Sequence, residues 1–349
     1  MRAAGAIPLV LTNVPELCMW VDAHNLVHGT TRNPHDTRRG PGGSSGGEGS
    51  LLASAGSVIG LGTDIGGSVR IPSAYCGIFG HKPTAGVVPN SGLLPDVGEN
   101  MREYNCVGPM TRFSEDLPLL LKILAGSTAD HFRLDEEVNV RALKVFFTET
   151  EGSLYFSRVT AEARQAVLKV TRHLQEAVGS NIRRLNVPEL QYAMITWFKV
   201  SAAREPHLLA LDGGNVFIDF LRTFLGDGRH TLARLTGTKM AAAAGCLFSS
   251  RQEAEAFLAS VDAARDRLEE TLGDDGVLIL PAAPSTAPYH NQDLLFFDSA
   301  GMTALFSIFK MPATVCPVAK SANGLPLAVQ VVAKRGNDRL CLAVAREIE

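Results

Sequence analysis

Two serines in glycine-rich turns, Ser44 in GGSSGG and Ser68 in GTDIGGS, stand 24 residues apart within the run Gly42–Ser73. A serine hydroxyl attacks a carbonyl once a neighbouring group takes its proton. Glycine-rich chain ahead of a helix start leaves backbone N–H groups free to meet the oxygen that becomes negative. Glycine also lets another backbone or a substrate come close. One such turn is weak evidence of a site. Two, linked by a stretch of helical composition and a strand, point to a paired site built for attack on a carbonyl.

Blander explanations fit less of the run. GGSSGGEG alone could be a flexible linker, but helical LLASAG and a second glycine turn with its own serine follow it at once. Gly42–Gly46 fits G-x-S-x-G, the elbow of another hydrolase class, yet that motif needs a strand immediately before it. Thr31–Pro41 is polar instead, with two prolines and three arginines. Phosphate binding fits poorly too: Gly62–Ser68 has no lysine before its serine, and GLGTDI fails G-x-G-x-x-G at its last position. His24, His28 and His35 share a polar loop without metal spacing, and His81 beside Lys82 reads as structural. Phe217, Phe220 and Phe224 have the helical spacing of a core stripe, with a lipid-facing role as the alternative.

The elements that must hold these residues alternate between strand and helix. Ile7–Thr12 is expected to be a short buried strand closed by the Asn13–Pro15 turn. Gly46–Ala55 reads as helix, Ser57–Gly62 as strand, and Ser68–Ala74 as a short helix interrupted at Pro72. Further helices are expected at Leu117–Leu124, Val159–Val178 and Ala254–Leu272, with mostly helical chain over Glu189–Ala244. Strands are expected at Asn181–Val187, Gly276–Leu280, Pro312–Val318 and Leu325–Val332. This alternation implies an α/β fold whose sheet is buried on both faces, in a single domain spanning 1–349. A hydrophobic fraction of 46% in 349 residues supports a large core.

The net charge of −3, with acids and bases interspersed, gives no nucleic-acid surface. Six cysteines without CxxC spacing read as free thiols, mostly buried, and favour the cytosol or a cytosolic membrane face. No signal peptide and no run of ~18 apolar residues is visible.

The Gly42–Ser73 run resembles the signature of the amidase signature family, whose members hydrolyse amides with a Ser–Ser–Lys triad. AGAIPLVLTNVPEL and GIFGHKPTAGVVPNSG resemble the segments that flank it, and MPATVCPV and GLPLAVQVVA resemble the family's C-terminal strands. IPLVLTNVPELCMW and SVIGLGTDIGGS look most like the fatty-acid amide hydrolases, type 2 in particular. The resemblance implies an amidase-signature fold, a mixed twisted β-sheet sandwiched between α-helices. It implies Ser68 as nucleophile and Ser44 as the bridging acid/base. Ile65, Gly66, Gly67 and Ser68 would supply the oxyanion hole, with Ser45, Thr63, Asp64 and Arg70 holding the loop. Cys18, Met19 and Trp20 would line the substrate pocket.

The implied reaction needs no metal or cofactor and takes a small-molecule amide, a fatty acyl one, through an acyl-serine intermediate. Nucleic acid is not an implied partner; peripheral membrane contact and a homodimer are compatible with it. One departure stands out. The family's lysine lies upstream of the bridging serine, whereas the first lysine here is Lys82, in a run where relatives carry a structural lysine. The N-terminal part with the catalytic lysine is therefore expected to be missing. The alternative is a catalytically inactive remnant or acyl-ligand-binding protein.

Overall fold

The computed structural model describes residues 1–149, 158–179, 182–205, 208, 216–225, 227–246, 248–294 and 300–349. In the polar loop ahead of Ser44, β1 (His24–Asn25) and β2 (Gly29–Thr30) form a short antiparallel ribbon. The main sheet has eight strands: β3 (Ile59–Asp64), β4 (Phe79–Lys82), β5 (Cys106–Thr111), β6 (Lys144–Phe147), β7 (Ile182–Arg184), β8 (Gly276–Pro281), β9 (Ala313–Lys320) and β10 (Pro326–Ala333). Their order is β3-β5-β4-β9-β10-β8-β6-β7. β6 runs parallel to β7 and β8, and the other neighbours are antiparallel, so the sheet is mixed.

Both faces of this sheet are covered. α2 (Arg70–Cys76), α6 (Ala193–Arg204), α9 (Arg251–Leu272) and α10 (Gly301–Ile308) contribute to a core on one side. α4 (Asp116–Ala125), α5 (Ala161–Val178) and α11 (Asp338–Ile348) contribute to a core on the other. The remaining helices are α1 (Gly46–Ala53), α3 (Glu99–Arg102), α7 (Val216–Phe224) and α8 (Leu232–Gly245). Burial on both faces explains why β8 reads GVLILP with no alternation. Leu278 and Leu280 enter the first core, while Val277 and Ile279 enter the second. Long α5 starts where the Thr160 hydroxyl accepts the Ala163 amide at 3.3 Å and stops at left-handed Gly179.

Two expectations fail for physical reasons. Ile7–Thr12 is not a strand: among the described residues no ladder includes it, and Leu11 is 98% exposed. The chain is tied down only just beyond, where Thr12 Oγ1 donates to Glu48 at 2.8 Å and Gly47 N donates to Asn13 O at 3.0 Å. Pro72 does not interrupt its helix. It lies in the first turn of α2, and the carbonyl that its missing N–H would have met, Ser68 O, accepts Ser45 N at 3.2 Å instead. The cysteines follow the sequence reading: all six are free, and Cys76, Cys106, Cys316 and Cys341 are buried.

Candidate active site

β3 ends at Asp64 and α2 begins at Arg70, so Ile65–Val69 must reverse the chain on the first core. Asp64 organises that turn. Its fully buried carboxylate accepts Gly67 N at 2.8 Å, Val69 N at 3.2 Å, and Arg70 Nε and Nη2 at 3.0 Å each. Burial pushes this carboxyl up, but the Arg70 charge, the Arg70 hydrogen bonds and the Lys82 charge outweigh it and hold it below the usual carboxylate range. Arg70 also reaches Ser307 Oγ at 2.7 Å and Gln330 Oε1 at 3.3 Å. Gln330 Nε2 in turn donates to Met302 O at 2.8 Å and Pro281 O at 3.2 Å. One buried network thus fastens the turn to α10 and to the middle of the sheet.

The carbonyls of the turn are pinned outward. Trp197 Nε1 donates to Ile65 O at 2.8 Å, and Thr303 Oγ1 donates to Gly66 O at 2.8 Å. A planar peptide whose carbonyl is held on one side aims its N–H to the other. The Gly67 amide is taken by Asp64, whereas those of Ile65, Gly66 and Ser68 have no acceptor among the described residues. Gly67 itself cannot be replaced cheaply. Its φ is +138°, and an added Cβ would lie 2.1 Å from Thr303 Oγ1.

The second glycine turn comes to the same place. The Gly43–Ser44 peptide is cis, and a Cβ on Gly43 would meet Asp22 O at 2.6 Å. Ser45 N donates to Ser68 O at 3.2 Å, and Ser45 Oγ accepts Thr63 N at 3.3 Å, so the two turns are joined directly. Ser44 and Ser68 line one cavity together with Thr63, Ile65 and Cys18. Ser44 is buried, and among the described residues neither serine hydroxyl has a hydrogen-bond partner. This is a pair of serines beside free amides, with room for a reacting group.

A second, apolar cavity opens from Ser68. Cys18, Met19 and Trp20 wall it from the N-terminal loop, and Met194, Trp197 and Phe198 from α6. The chain leads into Met19 through Leu17 and Cys18, whose φ values are 53° and 57°. Burial pushes the Cys18 thiol up, so it stays neutral.

The fold and this site agree with what the chain matches. Residues 1–342 match the amidase family. The chain belongs to that family. It is 38% identical to fatty-acid amide hydrolase 2-A of Danio rerio and to fatty-acid amide hydrolase 2 of Homo sapiens, covering all of this chain and 67% of each relative. The solved 6-aminohexanoate cyclic dimer hydrolase superposes with a TM-score of 0.78 at 24% identity, over 100% of this chain and 76% of that one. The chain is thus an amidase-signature hydrolase of the class acting on amide C–N bonds, related to the fatty-acid amide hydrolases.

Seen as an amidase, the chain shows where its lysines are. Lys82 is fully buried and donates to Pro83 O at 2.8 Å, with Cys106 Sγ at 3.9 Å. Lys122, Lys144 and Lys334 pair with acids, Lys310 with Glu103, Lys169 with Val318 O, and Lys199 and Lys239 lie over phenylalanine rings. His81 is equally occupied, between Thr314 Oγ1 at 2.8 Å and Asp338 at 3.1 Å. The phenylalanine stripe does not enter the core as a unit. Phe217 is 63% exposed, Phe220 meets Lys239, and the side chain of Phe224 lies outside the described residues.

Sequence reasoning missed Trp197, Thr303, Ser307 and Gln330. Gln330 carried a signal, being the polar residue inside the apolar run PLAVQVVA. Trp197 is one of two tryptophans in the chain, which is a weaker cue. Thr303 and Ser307 sit in a helix of ordinary composition and gave none.

Proposed function

We propose that this amidase hydrolyses fatty-acid amides, with Ser68 as nucleophile and Ser44 as the bridging acid/base. The observation that carries the reading is the joining of the two serine turns on one cavity, from which an apolar cavity extends. Ser68 Oγ attacks the amide carbon and its proton passes to Ser44. The amides of Ile65, Gly66 and Ser68 meet the oxyanion, and Gly67 keeps its amide on Asp64. Ser44 then delivers a proton to the departing nitrogen. This leaves an acyl-serine, which water cleaves to a carboxylate. The acyl chain lies against Met19, Trp20 and α6, gaining ~0.8 kcal/mol per buried methylene.

Lys82 is buried and spends its ammonium on Pro83 O, which supports reading it as structural rather than as the base behind Ser44. Two features support a peripheral contact at a cytosolic membrane face. α7 and the residue after it leave Phe217, Ile218, Leu221 and Leu225 in solvent, and the six cysteines are free. Among the described residues no helix is long and apolar enough to cross a membrane.

A fluorophosphonate probe tests the assignment, applied with and without a small primary amine as external base. The adduct should fall on the peptide containing Ser68, disappear in Ser68→Ala, and form faster with the amine. Labelling at Ser44 or Ser45 overturns the roles. A flat rate across short and long acyl amides removes the fatty-acyl assignment. Binding of acyl amides without labelling or turnover returns the acyl-binding alternative.

A further inference from the structure

Trp20 walls the apolar cavity, is nearly buried, and donates its indole N–H to Asp293, a carboxylate that is itself only 4% exposed. Asp293 sits on a single helical turn, Gln292–Leu294, which lies 273 residues from Trp20 in sequence. The same two segments meet again one step along. Asp22 approaches His290 Nδ1 at 3.5 Å and caps the Ala23 amide at 2.8 Å, while His290 Nε2 lies 3.3 Å from Thr37 O. Trp20–Asp293 and Asp22–His290 therefore clasp the cavity wall to the chain behind it in antiparallel order.

This arrangement is costly if its purpose is packing alone. A carboxylate held out of water pays desolvation, and burial, then the neighbouring Asp22 charge, push the Asp293 carboxyl up to about 6 against the pull of the Trp20 hydrogen bond. A leucine would fill the same kind of apolar site without that penalty. What a leucine cannot do is fix the plane of an indole. The contrast with Trp197 shows the use of such a bond. The other tryptophan of the chain also walls the cavity, and its N–H is spent on Ile65 O, so its ring position is set by the reacting loop. Trp20 directs its indole N–H to Asp293 instead. On its far side, α8 approaches with Gly237, whose added Cβ would stand 3.7 Å from the Trp20 ring.

We propose that Asp293 is a positioning residue that sets the length of acyl chain the cavity accepts, by holding the Trp20 indole as its wall. The proposal rests on the fatty-acyl reading of the cavity. Where the ring is fixed, each added methylene gains contact until the chain meets the indole, and further methylenes gain nothing. Where the ring is released, it turns aside and the limit moves to longer chains.

The test is binding of a straight-chain primary amide series, from hexanamide to oleamide, by calorimetry in a Ser68→Ala background, so that turnover does not intervene. Affinity should rise about fourfold per methylene and then break to a plateau. Asp293→Leu should move the break to longer amides without changing affinity for the shortest. Asp293→Asn, whose carbonyl still accepts the indole proton, should keep the original break. Trp20→Phe removes the donor instead of the acceptor and should reproduce the leucine profile. The double variant Trp20→Phe/Asp293→Leu should add nothing further. An unchanged far-UV circular dichroism spectrum shows that Asp293→Leu is folded, and because the chain has two tryptophans, both on the cavity, a changed fluorescence spectrum beside it reports a displaced ring. A break that stays in place or shifts to shorter amides, in both Asp293→Leu and Trp20→Phe, overturns the proposal. Affinity that is flat with chain length in the parent overturns the fatty-acyl reading itself, and the proposal with it.

Discussion

Around Asp64 the buried carboxylate, the Arg70 guanidinium and the carbonyls of Ile65 and Gly66 are matched to named partners in fixed directions, whereas the cavity beside them is walled by carbon and tied down at two indoles. Hydrogen bonds weaken steeply once the angle is wrong, and a buried group that loses its partner keeps the full desolvation cost. Dispersion contacts are small, numerous and forgiving. The same fold therefore contains a turn that tolerates almost no change and a wall that can be altered by degrees. Amide chemistry at one carbonyl needs the first kind of site, and accommodation of an alkyl chain needs the second.

The largest effect should come from Gly67→Ala, because its Cβ would land 2.1 Å from Thr303 Oγ1 and force the Gly66 and Ser68 amides out of line. Turnover should fall by ~10²–10³-fold or more, the loss typical of a missing oxyanion donor. Binding of acyl amides in the neighbouring cavity should change little. Steady-state kinetics beside calorimetry separates the two, and equal losses in both would erase the distinction between turn and wall.

Next in size is Arg70→Met, which strands the Asp64 carboxylate in the core and should cost ~3–5 kcal/mol in urea unfolding. Replacing a buried ion pair at both ends often restores stability. Here Asp64→Leu/Arg70→Met should recover only part of it, since Asp64 also accepts the Gly67 and Val69 amides. Full recovery would show that the amide contacts contribute nothing.

A smaller effect should appear as pH dependence at the wall. Asp293 is pushed up to about 6 in the folded chain, against ~3.9 for an ordinary carboxyl in the unfolded one. Between those values the folded chain binds the extra proton, so this group's contribution falls as pH rises from ~4 to about 6 and is constant above. Thermal unfolding of the parent should thus lose ground to Asp293→Asn as pH rises through that window; an unchanged difference would contradict it. The slightest change should be Gly237→Ala. Its methyl would meet the Trp20 ring at 3.7 Å, an ordinary contact, and the melting temperature should shift by no more than ~1 kcal/mol corresponds to.

Much of the scaffold was legible from local pattern. The apolar runs of β8 and β10 announced strands covered on both sides, and the charged, periodic stretch from 161 to 178 announced a long amphipathic helix. Ile7–Thr12 carried the same apolar signature and formed no strand, because a strand is completed by a neighbour and no local pattern supplies one. Pro72 misled in the opposite way, since its effect depends on its place in the helix rather than its presence.

By itself the sequence determined the two serine turns, the glycines that let them close, and an α/β sheet covered on both faces. Those features depend on residues a few positions apart, whose conformational preferences act before the chain has folded. Only the tertiary structure decided what holds the turns and what walls the cavity. Arg70 meets Gln330 across 260 residues, Thr303 meets Gly66 across 237, and Trp20 meets Asp293 across 273. The first pair exists because the strand order lays β10 between β9 and β8, and all three join segments that no spacing along the chain brings together.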